Sequence, residues 1–199
     1  AGPAPGFEAR CQQWLADAGQ RLNLYFMHGN RDFLLGPTFA QACGMTLLAD
    51  PTVLAFDAQR WLLSHGDALC LDDTDYQQFR AQVRNPAWCR DFLAKPLAER
   101  QAIARAIREQ SEARKTSGAV DADVDPAAAL QWLEAAQADT LIHGHTHHPA
   151  DHVLVTGTGR SHRRLVLSDW DAQASPPRLE VLQLRIGQAP ARITLASGL

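Results

Sequence analysis

The stretch Leu141-Ile142-His143-Gly144-His145-Thr146-His147-His148 is a short apolar run that ends in His-Gly, and this pattern decides how the 199-residue sequence is interpreted. The pattern occurs twice more, in Leu62-Leu63-Ser64-His65-Gly66-Asp67 and in Tyr25-Phe26-Met27-His28-Gly29-Asn30-Arg31-Asp32. In α/β sheets, ligands bind beyond the carboxyl ends of the strands, and a glycine there lets the backbone approach the ligand closely. We therefore expect the three loops to meet at one site.

The side chains of these loops suit a metal ion. Neutral imidazoles bind Mn, Fe or Zn, and the amide oxygen of Asn30 suits harder ions such as Mn. A single histidine at a strand end is more often a hydrogen-bonded structural residue, and packing beneath its loop is the alternative for His28. The pair His143 and His145 favours metal binding. No ligand role is expected for the remaining histidines, which we predict at the surface or behind the ligands: His147, His148, His152 and His162.

The composition is that of one globular domain, or one domain with an insert, that can bury a sizeable core. With 46% hydrophobic residues, 21% charged residues and a net charge of -3, the chain is not disordered, and the balance gives no indication of a nucleic-acid partner. No apolar run approaches the roughly 18 residues that span a bilayer. Four widely spaced cysteines without a C-x-x-C pair predict core thiols in a reducing compartment: Cys11, Cys43, Cys70 and Cys89.

Apolar periodicity and Gly/Pro punctuation predict an α/β fold of layered elements with a helical insert at about 72–118. Strands are expected at the three apolar runs that end in His-Gly, the first of them a buried strand over 22–27. Val53–Phe56 and Trp61–Ser64, which flank Asp57-Ala58-Gln59, predict a hairpin. The expected helices are Phe7–Ala18, one from Pro37 to Gly44, a helical block over Asp73–Lys115 broken at Asn85-Pro86 and Lys95-Pro96, and Asp125–Ala136. Strands dominate from Val153 onward.

The insert carries its own charge. Nine basic residues stand against four acidic ones between Arg80 and Gly118, although the whole chain has a net charge of -3. One interpretation is a solvated helix face. The alternatives are a lid that faces a phosphorylated substrate and a patch that rests on anionic lipid headgroups. Apolar insert residues could line an acyl-chain cleft, but at helical spacing they are more often core: Trp88, Phe92, Leu93, Leu97 and Ile103.

Other common catalytic motifs are missing from the sequence. It contains no G-x-S-x-G elbow, no G-x-x-x-x-G-K-[ST] loop, no G-x-G-x-x-G after a strand and no H-E-x-x-H helix. The sequence therefore favours metal-assisted chemistry. A nucleophilic Cys-His pair stays open as an alternative, although nothing in the sequence places a Cys beside a His.

The order and type of the three loops resemble those of the calcineurin-like metallophosphoesterases. The Gly-Asn-Arg-Asp sequence at 29–32 narrows the match, because most relatives carry Gly-Asn-His-Asp or Gly-Asn-His-Glu. This sequence and the insert that follows His65-Gly66-Asp67 resemble the corresponding features of one branch of the family, the pyrophosphatases that act in lipid A biosynthesis of Gram-negative bacteria. The similarity runs from about Phe7 to Trp170, and Ser168-Asp169-Trp170 resembles a late Gly-Asp-Trp strand.

This resemblance implies an αββα sandwich and a site with two Mn²⁺ ions. Asn30, His65 and His143 match ligands of one metal, and His145 matches a ligand of the other. Asn30, Arg31, His65 and His143 match catalytic positions. The implied substrate contacts are Asn30, Arg31, Asp73, Ser111, Lys115, Gly118 and His143, although Gly118 stands where a Lys is expected. The alternative for Arg31 is a salt bridge with Asp32 or another acid of the loop, and Asp72, beside Asp73, could be a plain helix cap.

The implied reaction is hydrolysis at the α-phosphorus of a UDP-linked diacylated glucosamine, which releases UMP. The implied location is the cytoplasmic side of the inner membrane, as a peripheral protein with no evident protein partner. The resemblance also has a gap, because the family's Asp-x-His and Gly-Asp strands have no counterpart here and the chain is expected to be truncated at its N-terminus. The alternatives are a phosphoesterase for soluble nucleotides and a non-catalytic fragment with half a metal cage.

Overall fold

The computed structural model describes residues 6–116 and 122–195 of the chain. Within these ranges the helices are α1 Phe7–Gly19, α2 Pro37–Ala42, α3 Thr74–Val83, α4 Pro86–Leu93, α5 Leu97–Thr116 and α6 Pro126–Ala136. The strands are β1 Leu24–Met27, β2 Met45–Leu48, β3 Thr52–Phe56, β4 Gln59–Ser64, β5 Thr140–His143, β6 Ala150–Val155, β7 Ser161–Val166, β8 Glu180–Gln183 and β9 Ala191–Thr194. The α/β class is confirmed, and no described helix is long and apolar enough to cross a membrane.

A five-stranded mixed sheet in the order β3-β4-β5-β7-β6 positions two of the three loops. Strands β4 and β5 are parallel neighbours, and Ser64 pairs with His143 in their register. Because the two strands end side by side, His65 and Gly144 emerge at the same edge of the sheet. The outer pairs, β3 with β4 and β6 with β7, are antiparallel.

The central sheet is covered on both faces. On one face, Ala129 and Leu133 of α6 pack against Leu62 and Leu141, and all four side chains are buried. On the other face, the buried residues Trp61, Ile142 and Leu165 are covered in part by Leu182 of β8 and by Leu184. The alternation of side chains along each strand explains this division, since neighbouring residues point to opposite faces.

Helix α6 begins where the sequence predicts. The Asp125 side chain accepts a hydrogen bond from the Ala128 amide at 2.7 Å, and Pro126 occupies the first helical turn, where its missing N–H costs nothing. The predicted hairpin is also confirmed as β3–β4. Its turn residues Asp57 and Ala58 have φ values of 53° and 56°, as a two-residue turn with left-handed residues requires.

The N-terminal part forms a separate two-stranded parallel sheet, β1–β2. The prediction of a buried strand over 22–27 is wrong on burial and on its start. Leu22 precedes the strand and Tyr25 lies within it, and both side chains are 63% exposed. Helix α1 has no buried residue, and its Trp14 is 62% exposed. The physical reason is that a sheet of two strands offers little surface against which apolar side chains can pack.

The insert consists of α3, α4 and α5, with breaks at the two predicted X-Pro positions. Asn85 caps α4 by accepting a hydrogen bond from the Ala87 amide at 2.8 Å. Trp88 stacks on the buried Phe92 with ring centroids 4.8 Å apart, so these two belong to a small core. Leu93 and Leu97 are 45% and 60% exposed instead. The predicted end of the insert at 118 lies outside the described residues.

The segment that returns from the insert is attached to the sheet by an ion pair. Arg164 of β7 is 4% exposed, and its two terminal nitrogens donate to the two carboxylate oxygens of Asp123 at 2.9 Å each. Replacing Asp123 with Ala removes these charge-assisted bonds and is expected to lower the free energy of unfolding by about 2 kcal/mol. Urea denaturation measures the difference.

The matched control is Asp139→Ala, which removes the partner of Arg160 at 2.7 Å in a pair whose side chains are 63% and 60% exposed. Solvent screening limits that loss to about 0.5 kcal/mol. Equal losses in both variants would mean that the Asp123–Arg164 pair contributes no more than a surface ion pair.

Candidate metal and phosphate site

The three predicted loops meet, as expected. The Gly144 amide donates to the carbonyl of His65 at 3.1 Å, which joins the loops after β4 and β5. The imidazole rings of His65 and His145 lie 5.0 Å apart. A Cβ atom placed on Gly29 would lie 3.0 Å from His65 Nε2, so the loop after β1 also reaches the same imidazole. Asn30 follows directly after this contact and is partly buried.

His143 is held with one ring nitrogen available for a ligand. Its side chain is fully buried, and Nδ1 lies 2.8 Å from the carbonyl oxygen of Gly144. Because a carbonyl only accepts, Nδ1 carries the proton and Nε2 presents a lone pair. That Nε2 atom is buried and makes no hydrogen bond within the described residues. A buried acceptor without a donor is costly, and a metal ion would satisfy it.

Burial lowers the pKa of His143 to about 4 from the ordinary value of 6.5, although the Gly144 carbonyl acts in the opposite direction. The unfolded chain therefore binds a proton at this residue below pH 6.5 while the folded chain does not. We expect the free energy of unfolding of the metal-free protein to fall as the pH decreases from 6.5 to about 4, by about 3 kcal/mol in total from this residue.

Two measurements check this expectation. Ring nitrogen chemical shifts in EDTA should show His143 neutral, with the proton on Nδ1, from pH 8 down to about 5. Urea midpoints across the same range should fall with decreasing pH, and less steeply in His143→Gln. A His143 ring that titrates near 6.5 would contradict the burial argument.

His65 faces a buried carboxylate. Its Nδ1 atom lies 3.1 Å from Oδ1 of Asp67, whose side chain is fully buried. The other oxygen of Asp67 accepts hydrogen bonds from the Tyr76 hydroxyl at 2.5 Å and from Arg80 Nε at 2.9 Å. A carboxylate behind one ring nitrogen orients the imidazole and raises its basicity, which leaves Nε2 of His65 as the ring nitrogen that could bind a metal ion.

The charges around Asp67 keep it ionised. Burial alone would raise the pKa of this carboxyl, but the close approach of the His65 ring, the hydrogen bond from Tyr76 and the charge of Arg80 hold its pKa well below the ordinary value. The pKa of Tyr76 is raised by burial and by its bond to Asp67, so the phenol keeps its proton. Asp67 is therefore a fixed negative charge behind the site.

The loop after β1 is closed by its own hydrogen bonds. Asp32 Oδ1 accepts from the Gly29 amide at 2.5 Å, and the ring of His28 is bonded through Nε2 to the Leu35 carbonyl oxygen at 2.8 Å. His28 thus packs within its loop, as the structural alternative proposed. Arg31 is exposed and has no ion pair within the described residues, so the alternative pairing with Asp32 is not observed.

The loop after β5 contains strained backbone. His145 and His147 have φ values of 69° and 56°, which are uncommon for residues other than glycine and cluster at functional sites. The His145 ring stacks on Tyr76 with centroids 5.7 Å apart. His147 and His148 are exposed and His152 is half-buried. His162 is 1% exposed and bonds the Ala138 carbonyl, so it is a core residue of β7 rather than a surface one.

The predicted substrate contacts of the insert are only partly described. Asp73 is the N-cap of α3 and accepts a hydrogen bond from the Tyr76 amide at 3.1 Å. The capping role considered for Asp72 therefore belongs to Asp73. Ser111 and Lys115 lie on α5, and Gly118 lies outside the described residues.

The donor atoms suit a divalent metal but supply only part of a coordination shell. Two imidazoles, those of His65 and His143, each present Nε2, and His145 lies beside the first. Over residues 6–116 and 122–195, no group of three or more His, Cys, Asp or Glu side chains is arranged to hold a metal ion. The loops that carry the predicted ligands Asn30, His65, His143 and His145 therefore meet, but the described side chains do not form a metal cage by themselves.

Sequence reasoning missed the support behind His65. Asp67 belongs to the His-Gly-Asp motif but had no predicted role. Tyr76 was predicted only as part of a helical block, and Arg80 and Arg84 only as part of that block and of its basic charge. Their spacing of four residues was an available signal, because residues at i, i+4 and i+8 lie along one face of a helix. The partner of that face could not be read from the sequence.

The chain is similar in sequence to known proteins over most of its length. The chain is 47% identical over 177 residues to a UDP-2,3-diacylglucosamine hydrolase of Bordetella pertussis, in an alignment that covers 88% of this chain and 68% of the relative. It is 48% identical over 172 residues to the Cellvibrio japonicus protein of the same name, covering 86% and 70%. The protein of that name from Stenotrophomonas maltophilia is 44% identical over 186 residues, covering 89% and 74%. No protein-family model matches the chain.

Proposed function

The chain belongs to the UDP-2,3-diacylglucosamine hydrolase family, and we infer from this membership that it hydrolyses the pyrophosphate bond of UDP-2,3-diacylglucosamine. We propose further that the cut falls at the α-phosphorus and gives UMP and 2,3-diacylglucosamine 1-phosphate (lipid X). The observation that supports this reaction is the meeting of the three loops around His65, because it gathers imidazoles, an amide and a guanidinium where a diphosphate could bind.

We propose Mn²⁺ as the cofactor, with two ions in an intact site. Asn30, His65 and His143 would hold one ion and His145 would contribute to the other. Bound Mn²⁺ would polarise the phosphoryl oxygens and lower the pKa of a coordinated water. The donor set supports this choice, since imidazole nitrogens and an amide oxygen suit Mn²⁺, and His143 Nε2 is a buried acceptor with no described donor.

The protein's own groups would bind and orient the diphosphate. Arg31 is an exposed residue of the loop after β1, and its planar guanidinium group offers paired donors that match two phosphate oxygens better than an ammonium group does. Asp67 holds the His65 ring in place from behind. The left-handed backbone at His145 aims that ring toward His65 and Tyr76.

We propose substrate contacts on the insert at Asp73, Ser111, Lys115 and Gly118. Asp73 stands at the start of α3, close in sequence to Tyr76, whose ring stacks on His145. A glycine at 118 provides no side chain for the acyl-glucosamine portion. The lipid end of the substrate would therefore depend more on the residues of α5.

The full αββα sandwich is also a proposal. The five-stranded sheet would be one layer, and β1–β2 would be two strands of the second layer. The edge of β1 that is unpaired within the described residues would accept the strands that carry Asp-x-His and Gly-Asp in the family. The exposure of Tyr25 and Trp14 supports this arrangement, because the added strands would cover apolar surface.

We propose that the protein acts at the anionic surface of the inner membrane, on its cytoplasmic side. The insert is rich in basic residues, and the exposed Leu93 and Leu97 flank Lys95 on its surface. Basic residues next to exposed apolar side chains are typical of surfaces that contact anionic lipids. The proposed partner is a lipid-linked UDP-sugar, with no nucleic acid and no protein partner.

A substrate panel tests the proposed function. The extended chain, defined as this sequence preceded by strands that carry the family's Asp-x-His and Gly-Asp motifs, is assayed with Mn²⁺ on three substrates. These are UDP-2,3-diacylglucosamine, UDP-N-acetylglucosamine and UDP. We expect kcat/KM for the diacylated substrate to exceed the others by about 100-fold, since the acyl chains add apolar contacts. A preference for the soluble nucleotides would assign the chain to the alternative phosphoesterase class.

A further inference from the structure

Helix α3 presents one side to both candidate ligand loops. Tyr76, Arg80 and Arg84 are spaced four residues apart, with Arg84 at the C-cap of the helix. The first two bond directly to Asp67. Arg84 extends further and reaches the loop after β1, which is 55 residues away in the chain.

Arg84 touches both loops with one guanidinium group. Its NH2 atom donates to the Gly29 carbonyl at 2.9 Å, lies 3.5 Å from the His28 carbonyl, and lies 3.8 Å from Oδ2 of Asp67. The guanidinium carbon stands 5.4 Å from the centre of the Phe33 ring. The side chain is 22% exposed, and its Nε atom is buried. Such a group is anchored by a carboxylate on one side and by an aromatic face on the other.

The internal bonds of the loop do not fix its position relative to His65. Asp32 and Leu35 bond to residues of the same loop, so they set its shape but not its place. Arg84 supplies a bond from outside, and it does so through the peptide that precedes Asn30. A shift of the Gly29 carbonyl would displace Asn30 and Arg31 together.

We propose that Arg84 is a positioning residue. It fixes the Gly29-Asn30-Arg31 loop against the loop that carries His65 and Asp67, so that docking of the insert sets the distance between these two loops. The role of Arg84 in catalysis rests on the proposed function, but its contacts with the two loops are present in the chain without substrate or metal. Lysine cannot replace it, because an ammonium group does not offer a planar fork that donates to a carbonyl while stacking on Phe33.

Hydrogen–deuterium exchange of the 199-residue chain in EDTA tests this positioning of the loop by Arg84 without substrate or metal. In Arg84→Lys, the amides of Gly29 and Leu35, which donate to Asp32, are expected to exchange about tenfold faster. Strands β4 and β5 should exchange at the unchanged rate. The matched control is Arg90→Lys in the same insert, an exposed arginine paired with Asp91 at 3.4 Å, which should leave the loop unaffected.

Activity then separates positioning from folding. In the extended chain, Arg84→Lys is expected to lower kcat for UMP release at least about tenfold, because small displacements of aligned groups are costly. Arg90→Lys should stay within about twofold of the unchanged chain. Unchanged loop exchange in Arg84→Lys, or equally faster exchange throughout the protein, would overturn the proposal. Absence of turnover in the unchanged protein would instead count against the proposed function and would leave the exchange result standing.

Discussion

Replacing His65 with Ala in the extended chain is expected to lower UMP release by about 1000-fold, which corresponds to about 4 kcal/mol of transition-state stabilisation. The imidazole is the common neighbour of the three loops, since its Nε2 faces Gly29, its ring lies beside His145 and its backbone carbonyl binds Gly144. Mn²⁺ affinity should fall with the activity, because the variant loses the proposed ligand nitrogen of the ring that Asp67 orients. Titration calorimetry with Mn²⁺ and an assay of UMP release measure the two effects.

The matched control is His148→Ala. His148 is in the same loop as His145 but is exposed, and no ligand role is expected for it. Its Mn²⁺ affinity and rate should remain within about twofold of the unchanged protein, as for surface substitutions in general. If His65→Ala retained both affinity and turnover, His65 would be a structural residue and the proposed donor set would be wrong.

Replacing Gly66 with Ala is expected to damage the site and the stability together. Gly66 has a φ of 104°, a conformation that side chains rarely adopt, and an added Cβ would lie 2.8 Å from His143 Nδ1 and 3.2 Å from the Gly144 carbonyl oxygen. The strain and the clash should lower the free energy of unfolding by about 3 kcal/mol. They should also push His143 out of its buried position, so UMP release should fall at least about 100-fold.

Gly157→Ala provides the comparison for this variant. No atom lies within 4 Å of a Cβ built on Gly157, so its substitution should change the free energy of unfolding by no more than about 0.5 kcal/mol. Urea denaturation of both variants, with the UMP assay on the extended forms, gives the result. A Gly66→Ala protein as stable and as active as Gly157→Ala would show that the close packing of Gly66 on His143 is not needed.

Local signals in the sequence predicted most of the secondary structure. Asp125-Pro126, Asn85-Pro86 and the turn at Asp57-Ala58 act on their own neighbours, so their effects could be read directly. Burial is not local in this way. The apolar run at 22–27 predicted a buried strand, but burial depends on what packs against it, and β1 has one described strand partner.

The same distinction applies to the site. Parallel strands that end together carry their loops to one edge, so the meeting of His65 and His143 followed from the repeated His-Gly pattern. The environment of Asp67 did not follow, because it depends on how α3 docks. The bond of Arg84 to Gly29 spans 55 residues, and no pattern within either segment indicates it. Likewise, the burial of His162 follows from its place on β7 between the paired Leu154 and the Ala138 carbonyl, not from its neighbours in sequence.

The most direct test of the proposed chemistry is UMP release from UDP-2,3-diacylglucosamine in Mn²⁺, with and without EDTA, by the 199-residue chain and by the extended chain. We predict release by the extended chain that EDTA suppresses, and weaker or no release by the 199-residue chain, whose described residues form only part of a metal shell. Absence of UMP release from both forms, or release that EDTA leaves unchanged, would contradict the assignment of this chain as a metal-dependent pyrophosphatase.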